Sequence, residues 1–119
     1  MLGLMIVSCN KDQKAVKMLD GKWKMTKFNN QVVPDANATT WTFTNCKLKT
    51  DELCDVKAQS GSQTLDYKYL VKDDGKTLIV KNSAGTVEIQ NYTITSLDKS
   101  ALVVTYSEGG TVTVEYTKQ

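Results

Sequence analysis

Eight short segments in which apolar and polar residues alternate make up most of this chain after Gly21. Alternation with a period of two is typical of strands that bury one face. The segments are KWKMTKF, TTWTFTNCKLK, ELCDVKA, QTLDYKYLVK, KTLIVKN, TVEIQNYTIT, ALVVTYSE and TVTVEYTK. Most separators are two or three residues long, as in Ser60-Gly61-Ser62 and Gly109-Gly110, and favour tight turns. Because a parallel connection needs about a dozen or more residues, the pattern predicts an antiparallel meander.

The meander is predicted to close into an all-β, eight-stranded antiparallel up-and-down barrel, because closure leaves no strand edge exposed. A short N-terminal helical turn precedes the barrel. Ala15, Met18 and Leu19 follow helical spacing, and Gly21 stands where a helix would stop. The 119 residues are enough for one domain with a small core.

Alternation also assigns one face of each strand to the barrel interior. The predicted inward residues are Trp23, Met25, Trp41, Phe43, Leu65, Tyr67, Tyr69, Val71, Val87, Ile89, Tyr92, Ile94, Leu102, Val104, Tyr106, Val112, Val114 and Tyr116. The parity changes between Ile89 and Tyr92, which predicts a β-bulge near Gln90 and Asn91. Of the nine aromatic residues, only Phe28 has outward parity.

All five tyrosines are predicted to point inward, where a buried phenol needs a hydrogen-bond partner. A wet aromatic cavity that holds a small apolar or amphipathic ligand would provide one, and so would buried water or backbone carbonyls. A barrel filled by its own side chains is the alternative. The loop from Asn29 to Ala38 would form the lip of the mouth. The candidate ligand-binding residues are Met25, Trp41, Phe43, Tyr67, Tyr69, Tyr92 and Tyr106.

Composition narrows the chemistry. The 15 lysines and 13 acidic residues give a net charge of +2 without long runs of one sign, which argues against nucleic-acid binding. The chain has no histidine and no arginine, so it lacks the usual general base and the commonest metal ligand. We therefore expect no enzymatic activity, no metal site and no cofactor, and we expect a monomer.

The chain begins MLGLMIVSCNKD, in which Ile6-Val7-Ser8-Cys9 fits the lipobox of a bacterial lipoprotein signal. Residues 1–8 are interpreted as a truncated signal peptide, because the apolar stretch is short and carries no lysine. Cleavage before Cys9 would leave a lipidated cysteine, with residues 9–20 as a tether and short helix and residues 21–119 as the barrel. The alternative is a loose N-terminal tail with an incidental cysteine.

The cysteine count supports the export hypothesis. With Cys9 assigned to lipid, Cys46 and Cys54 remain as a pair, eight residues apart around Thr50. A hairpin in this segment would place them opposite each other, close enough for a disulfide in an oxidising compartment. In a reducing cytosol they would be two ordinary thiols.

Gly21-Lys22-Trp23 resembles the GxW signature that opens the first strand of lipocalins and their calycin relatives. In that family a cation of the last strand, usually arginine, packs over the tryptophan and closes the barrel. The resemblance assigns this role to Lys118, which has inward parity. As a whole the chain resembles small lipocalin-like lipoproteins of Gram-negative bacteria, through the lipobox cysteine, GKWK, TWTF, the cysteine pair and YTITSLDKSALVVTY.

The resemblance implies a ligand-binding barrel that is lipid-anchored in the cell envelope of a Gram-negative bacterium. The alternative from the same family is an envelope interaction protein, such as an inhibitor of a lysozyme or protease, with a filled barrel and loops that contact the partner. An accessory lipoprotein without a ligand is a third hypothesis. The volume of the interior cavity distinguishes the first two.

Overall fold

The computed structural model describes residues 10–47 and 53–119. One helix, nine strands and a short 3-10 helix occupy these ranges. They are α1 (Asn10–Leu19), β1 (Gly21–Phe28), β2 (Gln31–Val32), the 3-10 helix (Asp35–Asn37), β3 (Thr39–Phe43), β4 (Cys54–Ser60), β5 (Gln63–Lys72), β6 (Thr77–Lys81), β7 (Glu88–Leu97), β8 (Ala101–Ser107) and β9 (Thr111–Lys118). In the described ranges, no helix has the length and apolar character needed to cross a membrane.

Eight strands form a closed antiparallel barrel, as the alternation predicted. Each strand from β3 to β9 pairs with its neighbour in sequence, and β1 pairs with both β3 and β9, which completes the ring. The two-residue strand β2 pairs only with the end of β1 and lies outside the ring. Sequence analysis missed β2, which is too short to show alternation.

Most strand bounds agree with the alternating segments to within two residues. β5 and β9 begin and end where the sequence pattern does. β3 is the exception, because it ends at Phe43, whereas the predicted segment continued to residue 49. After Phe43 one further hydrogen bond joins the chain to β4, from the Thr44 N–H to the Asp55 carbonyl, and the Tyr69 hydroxyl donates to the Thr44 carbonyl.

Three bulges adjust which side chains point inward. The predicted bulge in β7 lies at Ile89, since Val80 pairs with Gln90 and Lys81 pairs with Glu88. A second shift in β7 skips one residue between Ile94 and Ser96. These irregularities increase strand bend and twist, as closed barrels require.

The third bulge, in β1, corrects the predicted orientation of Phe28. The register skips Thr26, so that Phe28 pairs with Val114, whose side chain is buried inside the barrel. Directly paired residues share a face of the sheet, so Phe28 has inward parity. All nine aromatic residues therefore belong to the inner face.

Helix α1 covers one end of the barrel, which we call the closed end. Val16 and Leu19 are fully buried in the barrel core, and the Trp23 indole donates to the Leu19 carbonyl at 2.8 Å. The Gly75 N–H donates to the Asp12 carboxylate at 2.7 Å. The segment predicted as a tether with a helical turn is thus packed as part of the domain core.

The opposite end, which we call the open end, carries most of the exposed apolar side chains. These are Phe28 at the end of β1, Val32 in β2, Leu65 at the start of β5, and Val87 and Ile89 at the start of β7. The strand directions place all five at the end away from α1. Leu65, Val87 and Ile89 were predicted to be core residues, but they are 45–55% exposed because no element of the described ranges covers them.

Candidate ligand-binding site

The barrel interior contains one narrow cavity between the closed end and the mouth. It is lined by Trp41, Phe43, Leu78, Val80, Tyr92, Leu102, Val104 and Tyr116. The space open to the centre of a water-sized sphere is about 10 Å³. That is about the minimum volume that holds one water molecule. This cavity therefore has room for about one water molecule.

Three polar groups lie among the apolar walls of this cavity. The Trp41 indole nitrogen is buried and makes no hydrogen bond of good geometry within the described ranges, although it lies near the Tyr116 hydroxyl. Tyr92 stacks edge-on against Tyr106, with 5.5 Å between ring centroids. Indole and phenol groups in such a site are available to a water molecule or to a polar atom of a ligand.

The low polarity of the interior raises the pKa values of its tyrosines. Burial, and then the neighbouring Tyr106 and Tyr67, raise the pKa of Tyr92 to about 12. Burial is also the main cause that raises the pKa of Tyr116 and of Tyr69 well above the usual value. The raised pKa values mean that these phenols resist ionisation to a higher pH than exposed tyrosines, because ionisation would place a charge in a poorly solvated site.

The structure brings together most of the candidate ligand-binding residues on the inner face. Trp41, Phe43 and Tyr92 line the cavity directly. Met25, Tyr67 and Tyr106 are partly buried and pack against the core. Tyr69 is fully buried, packs edge-on against Phe43 at 5.0 Å and satisfies its hydroxyl with a backbone carbonyl. Whether these residues bind a ligand stays a prediction.

Leu78 and Val80 line the cavity but were not among the predicted inward residues. They belong to β6, in which Leu78, Ile79 and Val80 are consecutive and all buried. A run of three apolar residues does not reveal which face points inward. Pairing supplies that information, since Leu78 lies opposite Tyr92 whereas Ile79 lies opposite Asn91.

The predicted disulfide between Cys46 and Cys54 is present, with a Cα–Cα distance of 5.5 Å. It ties the segment after β3 to the first residue of β4 at the closed end. The Gln13 side chain of α1 donates a hydrogen bond to the Cys46 carbonyl at 2.8 Å. The disulfide therefore holds a segment against which α1 packs. Cys9, the predicted lipidation site, lies outside the described residues.

Gly21, Trp23 and Lys118 meet at the closed end, as the barrel-closing motif predicted. The Lys118 ammonium lies 4.8 Å from the centroid of the fully buried Trp23 ring and donates to the Asp20 carbonyl. Gly21 has a φ of +123°, and a Cβ built on it would lie 2.8 Å from the Lys118 Cε. This position therefore requires glycine, both for its backbone conformation and for the approach of the lysine stem.

In the described ranges, no group of three or more Cys, Asp or Glu side chains is placed to hold a metal ion. Apart from Lys118, the charged side chains of the strands lie on the outer face, where two ion pairs form, Lys24 with Asp35 and Lys68 with Asp55. Both pairs are largely exposed and contribute little to stability.

Comparisons with known proteins agree with this architecture. No protein-family model matches the chain, and no curated protein matches it. Among solved structures, the chain is similar to As-p18, an extracellular fatty acid binding protein, with a TM-score of 0.53. The match has 15% sequence identity and covers 87% of this chain and 97% of that chain.

At this identity the likeness concerns the fold alone, which is a barrel closed by eight antiparallel strands. Because the same fold supports many functions, the role of this chain depends on its own cavity and open end.

Proposed function

We propose that this chain is a lipocalin-like lipoprotein that binds a small apolar or amphipathic molecule inside its barrel, without catalysis and as a monomer. The observation that carries the proposal is the difference between the two ends. The closed end is packed by α1, whereas the open end presents five exposed apolar side chains next to an aromatic cavity. A site open at one end and apolar inside is typical of small-molecule binding.

Binding requires the mouth to widen. Pockets for small organic ligands have about 300–1,000 Å³, far more than the space for one water molecule found here. The side chains at the mouth are about half exposed, so their displacement disrupts little packing. Leu19 and Trp23 at the closed end are fully buried and would keep their places. The ligand would therefore enter between β1, β5 and β7 and displace Tyr92 and Trp41.

The two tryptophans provide a direct test. Trp41 lines the cavity, whereas Trp23 is buried at the closed end. Decan-1-ol, as a small amphipathic probe, should change the emission of Trp41 and leave that of Trp23 unchanged. Titration of Trp23→Phe and Trp41→Phe variants, each with one remaining tryptophan, separates the two signals. Equal responses from both variants, or none from either, would contradict binding in the barrel.

A matched pair of cavity variants sharpens this test. Leu78 lines the cavity and the adjacent Ile79 points to the outer face, yet both are buried. Leu78→Ala and Ile79→Ala should each lower the free energy of unfolding by about 2–5 kcal/mol. Only Leu78→Ala enlarges the interior, so only that variant should bind decan-1-ol more tightly in calorimetric titration. A similar affinity change in both variants would show that destabilisation, not cavity size, controls binding.

Lipid attachment at Cys9 and a location in the envelope of a Gram-negative bacterium belong to the same proposal. The support is the lipobox sequence and the disulfide, because disulfides persist in oxidising compartments. Since α1 begins at Asn10, a lipid on the preceding residue would hold the closed end toward the membrane and leave the mouth facing away. When the chain is expressed behind a complete lipoprotein signal peptide, labelled palmitate should enter the wild type, and Cys9→Ala should lose the label.

The second candidate function is an envelope interaction protein, for example an inhibitor of a lysozyme or protease. The nearly filled interior favours it, since the exposed apolar residues of the open end would then contact a protein partner. Native mass spectrometry of protein purified from its own source distinguishes the two functions. A bound small molecule supports the first, and a stable protein complex supports the second.

A further inference from the structure

The inner face of the barrel differs from the outer face in charge. Eleven charged side chains of the strands have outward parity in the pairing register. They are Lys22, Lys24, Lys27, Asp55, Lys57, Asp66, Lys68, Lys72, Lys81, Glu88 and Glu115. The exception is Lys118, which pairs with Trp23 on the inner face. Its ammonium lies against the Trp23 ring and the Asp20 carbonyl at the closed end, away from the cavity lining.

A ligand in the cavity would therefore meet no cation. The polar groups in the lining are the Trp41 indole N–H and the hydroxyls of Tyr92 and Tyr116, all of them neutral. An N–H donor and two phenols match an alcohol, ester or amide oxygen. A carboxylate moved into such a site would lose its hydration without gaining a counter-ion, which strongly disfavours the anion.

We propose that the barrel selects amphiphiles whose polar group is neutral, and that it takes a carboxylic acid only in its protonated form. This inference rests on the proposed ligand-binding function and specifies its ligand class. The raised phenol pKa values agree with it, because they show that the same interior already disfavours a negative charge on the protein's own groups.

Ligands with the same alkyl chain test the proposal. Decan-1-ol, methyl decanoate and decanoic acid would be titrated into the full chain at pH 8 and pH 5, with calorimetry and Trp41 emission as readouts. At pH 8 we expect the two neutral ligands to bind at least about thirtyfold more tightly than decanoate, because ordinary carboxyls are then almost fully ionised. Lowering the pH should strengthen binding of the acid at least about tenfold and leave the neutral ligands unchanged.

A variant that adds a cation to the inner face should allow the barrel to bind a carboxylate. Val112 is half-buried on the inner face near the open end, and Thr113 points outward on the same strand. Val112→Lys should raise the affinity for decanoate at pH 8 by at least about tenfold and change that for methyl decanoate little. Thr113→Lys, the matched control, should change neither.

The outcomes separate the two proposals. Decanoate that binds wild-type protein at pH 8 as tightly as its methyl ester overturns the charge selection and leaves the ligand-binding function standing. If none of the three ligands changes the Trp41 signal or releases heat, both proposals are overturned. Tight neutral binding with weak anion binding supports both.

Discussion

The side chain of Lys118 joins the last strand to the start of the barrel. Its ammonium donates to the carbonyls of Met18 and Asp20 and lies over the Trp23 ring. Lys118→Met keeps the apolar stem and removes the charge and the donors. We expect the free energy of unfolding in urea to fall by about 1–2 kcal/mol, as such contacts are worth in partly exposed sites.

A surface lysine of β1 provides the control for this prediction. Lys22 is exposed, and its side chain makes no hydrogen bond or ion pair with the residues that the structure describes. Lys22→Met should change stability by no more than about 0.5 kcal/mol. A loss of stability as large as that of Lys118→Met would assign the effect to net charge rather than to the contact with Trp23.

Tyr92 makes stability depend on alkaline pH. Its pKa is raised from 10.0 to about 12 by burial and its tyrosine neighbours. The folded protein therefore keeps a proton that the unfolded chain loses. The stabilisation is fully present below pH 10 and is lost as the pH rises through 12, with about 2 kcal/mol contributed by this group.

Urea unfolding at pH 8 and pH 11 measures this effect, and phenolate absorbance reports the ionisation directly. The wild type should lose more stability over this interval than Tyr92→Phe, in which the group is absent. An equal loss in both proteins would mean that other groups carry the alkaline transition.

At the scale of elements, the disulfide controls how β3 connects to β4. It closes a loop between positions eight apart and holds the segment that accepts a hydrogen bond from Gln13 of α1. Reduction, or the Cys46→Ser/Cys54→Ser double variant, should lower the free energy of unfolding by about 2–3 kcal/mol. The urea midpoint gives the value, and reductant should have no effect on the double variant.

The alternating pattern predicted the bounds of the strands better than the orientation of every side chain. β5 and β9 were predicted with correct bounds because apolar and polar residues alternate along most of their length and turn residues flank them. The orientation of Phe28 was wrong because the bulge at Thr26 leaves no trace in KWKMTKF. Bulges satisfy the geometry of the closed ring, a property of all strands together.

The sequence pattern predicted neither the buried face of α1 nor the volume of the cavity. Helical spacing predicted α1 but suggested Met18 as an inward residue, whereas the buried face is formed by Ala15, Val16 and Leu19. Which side of a short polar helix is buried depends on the surface against which it packs. The cavity volume likewise depends on rotamers of many side chains, so the tyrosines predicted an aromatic interior but not how much space it leaves.

At the scale of the whole molecule, stability should vary along the barrel axis. Buried side chains such as Leu19, Trp23 and Tyr69 gather at the closed end, whereas the open end is rimmed by exposed ones. Strand residues near α1 should therefore exchange their amide hydrogens at least about tenfold more slowly than residues of the same strands near the mouth. Native-state hydrogen exchange resolved by NMR measures the gradient, and uniform protection along β5 would contradict it.

The pairing of β9 with both β1 and β8 has a consequence for synthesis. A ribosome delivers the chain from its N-terminus, so the ring stays open until Thr111–Lys118 has emerged. Until then the nascent chain carries two unpaired strand edges, at β1 and at β8. Such edges readily pair with strands of other chains and lead to aggregation. The eight residues of β9 thus complete the barrel. Until β9 has paired with β1 and β8, the chain depends on chaperones to avoid association with other chains.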